Sequence, residues 1–217
     1  MNSPDPRISR TFGVGLALLV LTLALVALTA GLRSRESRAS LPDYGAVPEF
    51  ALTNQLGHEV SLEALRGRVW IADIIFTRCP GPCLRMTRQL KELQDALPAG
   101  SGTRLVTLTT DPEFDTPAVL KIYAVRFGAD PDRWTFLTGT KREIGNLAAG
   151  GLKLSAVEKT ASERDSADDL FVHSTVFVVV DRHGRLRGVF ETGGDGVDWN
   201  SQKEKILATV RTLERAP

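Results

Sequence analysis

From Thr11 to Leu32 the chain reads "TFGVGLALLVLTLALVALTAGL", 22 residues without a charge. At 1.5 Å per residue such a helix spans a hydrocarbon core about 30 Å thick. Residues 33–47, "RSRESRASLPDYGAV", are polar and turn-rich, as in a tether. Beyond them the hydrophobic period switches repeatedly. Residues 50–65 hold two short runs about a turn at Gln55, Leu56, Gly57 and His58, which predicts a hairpin. Residues 69–76 are apolar except for Asp73, as in a strand buried on both faces. From Pro82 the apolar positions Leu84, Met86, Leu90, Leu93 and Leu97 recur at helical spacing, with Pro98 just beyond.

Residues 105–108 predict the next strand. Thr116 as N-cap and Pro117 at the first helical position open a helix that closes at Gly128. A short strand at 134–137 precedes a helix at 141–149 ending in Gly150 and Gly151. Residues 158–169 are polar and predict a loop. A buried strand at 176–180, a turn at 181–184, a partner strand at 185–190 and a helix at about 200–215 complete the pattern. Strands alternating with helices, then a closing hairpin, predict an α/β layered domain over residues 48–217.

The uncharged segment reads as a cleaved signal peptide or as a retained anchor. A signal h-region runs about 7–15 residues, and Leu28 spoils the small-x-small pattern before Ala30, which favours an uncleaved anchor at 11–32. Arg7 and Arg10 precede the span and Arg33, Arg35 and Arg38 follow it, so basic residues alone slightly favour the reverse orientation. Paired cysteines suit an oxidising, exported compartment. The expected topology is therefore residues 1–10 in the cytoplasm, one crossing of the cell (inner) membrane, and the domain on the periplasmic or other extracytoplasmic side. Composition adds little: of 217 residues 42% are hydrophobic and 24% charged, with a formal net charge of +1, which gives no footprint for nucleic acid.

The candidate chemistry lies in "IADIIFTRCPGPCLRM", residues 71–86, which holds both cysteines of the chain. Cys79 leaves the buried strand and Cys83 enters the first turn of the helix behind Pro82. Unpaired N–H groups and the helix dipole favour a thiolate there, the form that attacks disulfides or binds metals. Arg78 and Arg85 push the same way if they point inward. A structural staple across so short a loop stabilises by only about 2 kcal/mol on the chain-entropy estimate, so a functional pair is the better reading: a redox couple or two arms of a metal site. His58 and His183 read as solvated turn residues, Met86 as core, and Asp111 and Asp115 as turn and cap residues.

Four stretches, residues 47–83, "TDPEFDTPAVLKIYAVRFG" (110–128), "RWTFLTGT" (133–140) and "VHSTVFVVVDRHGRLRG" (172–188), resemble in order and spacing the Sco/SenC family. That resemblance implies a thioredoxin-like domain, a central mixed sheet flanked by helices, behind an N-terminal transmembrane helix. It implies a copper chaperone that carries Cu(I) on Cys79, Cys83 and His173 to the binuclear copper subunit of cytochrome c oxidase, with a thioredoxin-like reductant or another copper carrier as further partners. Soft Cu(I) suits thiolate and imidazole donors. A closed zinc site wants four ligands, and two cysteines fall short. Two positions depart from the family: Val172 stands where an acidic residue often precedes the histidine, and Leu84 replaces the usual proline. Two other functions use the same sulfurs. A thiol-disulfide reductase is one, although Ser174 and Thr175 occupy the place of the proline that commonly faces such cysteines. A redox- or copper-responsive signalling protein is the other. Whether the chain is an enzyme depends on that choice.

Overall fold

The computed structural model describes residues 19–24, 41–163 and 171–216. The chain divides into residues 1–41 and a compact unit, Pro42–Pro217. Of the expected anchor, residues 19–24 are helical and the rest lie outside the described residues, as do the 1–10 tail and residues 33–40. Among the described residues no helix is long and apolar enough to cross a membrane.

A seven-stranded mixed sheet carries the compact unit, in the order β2-β1-β5-β4-β3-β8-β9. Its strands are β1 (Ala51–Asn54), β2 (Glu59–Ser61), β3 (Trp70–Ile75), β4 (Arg104–Thr109), β5 (Trp134–Thr138), β8 (Val176–Val180) and β9 (Leu186–Glu191). β3, β4 and β5 run parallel; β1 pairs antiparallel with β5, and β8 with β3. The parallel crossovers are α2 (Pro82–Ala96), between β3 and β4, and α3 (Pro117–Arg126), between β4 and β5. The compact unit also has the short α1 (Leu62–Leu65), α4 (Lys141–Gly145) and the C-terminal α5 (Trp199–Arg215).

Every residue of β3 is buried, as its unbroken apolar run requires when both sheet faces are covered. Trp70, Ala72 and Ile74 join one core cluster with Val106, Leu137 and Val178. Strand alternation puts Ile71, Asp73 and Ile75 on the opposite face. There α2 buries Met86, Leu90 and Leu93 completely, each worth about 1.5–3 kcal/mol. The Phe177 ring meets Trp199 of α5 edge-on at 5.8 Å.

Local signals explain most boundaries. Thr116 caps α3 by accepting from the Val119 N–H, and Gly128 follows with φ +65°. Three expectations need correcting. Residues 62–65 are helical rather than the end of a hairpin strand, because Ser61 accepts from the Ala64 N–H and caps them. The helix expected over 141–149 turns after Gly145 into a π-helix, Asn146–Leu152, and ends at Lys153, which is left-handed. Gly151 does not terminate it; a Cβ there would lie 2.5 Å from the Pro48 ring, so close packing demands the glycine. Within the expected 158–169 loop, Glu158 closes β6 (Ala156–Glu158), which pairs with β7 (Phe171–His173).

The last residues of the expected tether belong to the folded unit. Tyr44 and Val47 donate to the carbonyls of Leu186 and Gly184, and Asp43 pairs with Arg185 at 2.7 Å.

Candidate functional site

Cys79 and Cys83 meet at the carboxyl end of β3, where a parallel strand delivers its chain to the next helix. No disulfide joins them; Cys79 is 5% exposed and Cys83 fully buried. Pro82 sets the first turn of α2, and the Gly81 cap supplies no side-chain bond. The Phe76 N–H points at Cys83 Sγ from 3.5 Å, and the Thr87 hydroxyl donates to the Cys83 carbonyl at 2.9 Å.

The helix terminus does not decide the titration of Cys83. Burial pushes its thiol strongly up, with the Cys79 side chain and the Asp73 charge adding to the rise and the Phe76 N–H opposing it. The expectation of a dipole-lowered thiol is therefore corrected at this position: desolvation of a buried thiolate outweighs a partial charge at the helix end. A bound soft cation would reverse that balance by supplying the missing positive charge.

The loop carrying Cys79 is stitched to the β4–α3 connection. Thr77 donates its N–H to Asp115 Oδ2 at 3.1 Å and its hydroxyl to Asp115 Oδ1. Asp115 also accepts from the Thr109 hydroxyl at 2.5 Å. Burial raises the Asp115 carboxyl above its ordinary range, against the pull of those bonds. Arg78 donates to Asp111 Oδ2 at 2.5 Å and lies 4.1 Å over the Phe114 ring. Arg78 thus faces the 111–114 turn. Asp111 and Asp115 do more than shape that turn, since they hold the cysteine loop. The repeated acidic spacing in "DPEFD" was the available signal, and the partners were not visible in it.

His173 ends β7, where it pairs through its backbone with Ala156; its side chain lies outside the described residues. The same strand carries Phe171, whose ring meets that of Phe76, the residue after β3, edge-on at 5.1 Å. His58 and His183 are exposed turn residues, and Met86 is core. Among the described residues no three His, Cys, Asp or Glu side chains form a metal-holding group.

A model of the SCO1/SenC family matches residues 39–209. A SCO1 protein homolog from Bacillus subtilis (strain 168) is 37% identical over 168 residues, covering 76% of this chain and 81% of its own. A Stutzerimonas stutzeri protein named as copper-binding is 33% identical over 150 residues, 68% of this chain and 70% of that protein. Among solved structures, BsSco belongs to the Sco family of cytochrome c oxidase assembly proteins and has an identified disulfide switch. It superposes with a TM-score of 0.67 at 31% identity, over 82% of this chain and 98% of its own. Yeast Sco1 with copper bound gives 0.64 at 26% identity, over 79% and 92%. The shared fold is the thioredoxin-like α/β fold with a mixed sheet.

Proposed function

The chain belongs to the SCO1/SenC family, and on that footing we propose that it is a membrane-tethered copper chaperone serving cytochrome c oxidase assembly. Its cargo is one Cu(I), held by Cys79, Cys83 and His173 and passed by ligand exchange to the oxidase's copper-binding subunit. The uncharged residues 11–32 anchor it, with the domain on the extracytoplasmic side. The observation that carries this reading is the pair of cysteines brought together, unbridged, at the β3–α2 junction. The donor set fits: two sulfurs and an imidazole suit a soft monovalent ion, and three ligands leave room for an incoming fourth. A further support is the Phe171–Phe76 contact, which ties the strand bearing His173 to a residue whose N–H points at Cys83 Sγ.

The test is a Cu(I) titration of the anaerobically reduced chain against a competing chelator. The parent binds one equivalent; Cys79→Ser and Cys83→Ser each abolish tight binding, and His173→Ala weakens it. A His173→Ala variant that binds as tightly as the parent refutes the three-ligand site.

A second reading has an observation of its own, the adjacency of the two sulfurs and the disulfide switch identified in the relative BsSco. As a reductase, Cys79 would attack a partner disulfide to form a mixed disulfide. Cys83 would then displace the partner thiolate, leaving a Cys79–Cys83 disulfide and two electrons transferred. Metal-free turnover of a disulfide substrate would favour it; an inactive parent would exclude it.

A further inference from the structure

The face of α2 leading away from the dithiol is basic. Arg85 and Arg88 are exposed on it, and Arg126 of α3 joins Arg88, Lys91, Glu92 and Phe127 around a cleft of about 400 Å³. The acidic groups of α2 already have partners, and the nearest other carboxylates, Glu191 and Asp195, are exposed on the connection that Arg85 covers. Glu92 accepts from Lys203 at 3.0 Å and from the Trp199 indole at 2.9 Å, and Asp95 holds Lys91 at 2.6 Å. Arg85, Arg88 and Arg126 have no ion-pair partner among the described residues. Because the whole chain carries a formal net charge of only +1, the excess is local.

Arg85, although exposed, rests its guanidinium on the connection between β9 and α5. Its guanidinium lies against Gly193 so closely that a Cβ built there would sit 2.2 Å from Nη2 and 2.6 Å from Cζ. The backbone it covers is itself tied to α2, since the Gln89 amide donates to the Thr192 carbonyl at 2.8 Å. Thr192 is anchored in turn, its N–H and its hydroxyl each donating to the Thr175 carbonyl at 2.8 Å.

We infer that Arg85, Arg88 and Arg126 form a docking face for an acidic surface of the protein that exchanges metal with Cys79 and Cys83. The inference rests on the chaperone reading for the identity of that partner. Arg85 lies in the same first turn of α2 as Cys83, on its exposed side, so a partner bound there sits beside the loop that carries the dithiol. Ligand exchange needs donor atoms from the incoming partner, which a protein supplies and an anionic lipid headgroup does not. Guanidinium groups match carboxylates bidentately, and a one-sign face accelerates encounter with an opposite one.

The experiment follows association of the full-length chain, in neutral phosphatidylcholine nanodiscs, with the purified copper-binding subunit of the oxidase, both metal-free. The double reversal Arg85→Glu, Arg88→Glu slows association about tenfold or more at low salt. The gap closes near 1 M salt, where the screening length is about 3 Å. Gly193→Ala keeps every charge yet displaces the Arg85 guanidinium, and gives a smaller loss in the same direction. The melting temperature and Cu(I) affinity of these variants stay at the parent's values. Equal association rates for parent and double reversal at low salt overturn the inference. So does a reversal that loses binding only to anionic phosphatidylglycerol vesicles, for the partner is then a lipid. A chain that fails to hold copper but keeps salt-dependent association refutes the copper reading and leaves the docking face standing.

Discussion

Replacing Arg78 with alanine tests whether the loop that carries Cys79 is held from the side. Arg78 reaches Asp111 at 2.5 Å and lies 4.1 Å over the Phe114 ring. The ion pair is unevenly buried: the Arg78 side chain keeps 37% of its surface and Asp111 only 9%. Exposed pairs contribute about 0–1 kcal/mol, and breaking a fully buried one costs about 3–5. Solvent screening on the arginine side puts this pair nearer the lower range, at about 1–1.5 kcal/mol. The ring contact adds about 0.5–1 kcal/mol. Arg78→Ala therefore costs about 2 kcal/mol, largely because Asp111 stays buried without its cation. In a folded unit of this length 1 kcal/mol moves Tm by about 2–4 °C, so the expected fall is about 4–8 °C. Urea and thermal unfolding of the reduced protein measure it. A double-mutant cycle with Asp111→Ala isolates the pair, with an expected coupling of about 1 kcal/mol. A loss below about 0.5 kcal/mol, or zero coupling, refutes the lateral stitch; values that small are ordinary for surface substitutions.

Two further outcomes follow from the same geometry. With the reduced metal-free chain, iodoacetamide modifies Cys79 well before Cys83, because burial raises the Cys83 thiol and leaves it no exposed surface; mass spectrometry of the peptides reads the order, and equal rates refute it. The bond from Arg185, and then the Gly45 N–H, hold the Asp43 carboxyl below its ordinary range. A depressed folded-state value contributes stability above the usual carboxylate range and loses it as pH falls through the folded value. Arg185→Gln should therefore unfold more easily than the parent at neutral pH and match it in strong acid. A difference that persists in strong acid would refute the linkage.

Much of this protein is legible in its sequence because the signals are local. The apolar run of β3, the helical spacing of α2 and the Thr116–Pro117 cap each concern residues within a turn or two, where periodicity and steric preference act directly. The placement of Cys79 and Cys83 at a strand-to-helix junction follows from those elements, and the ordered motifs along the chain carried the family. What the sequence left open depends on groups distant in the chain. The rise of the Cys83 thiol comes first from burial under a complete sheet, then from Cys79 beside it, with Asp73, ten residues away, adding least. Asp111 and Asp115 meet Thr77 and Arg78 across more than 30 residues, and Gly193 meets Arg85 across more than 100. Strand β6 needed β7 to exist at all. Local preference chose the elements; desolvation and nonlocal pairing, which exist only once the core has closed, decided how the two sulfurs behave and what surrounds them.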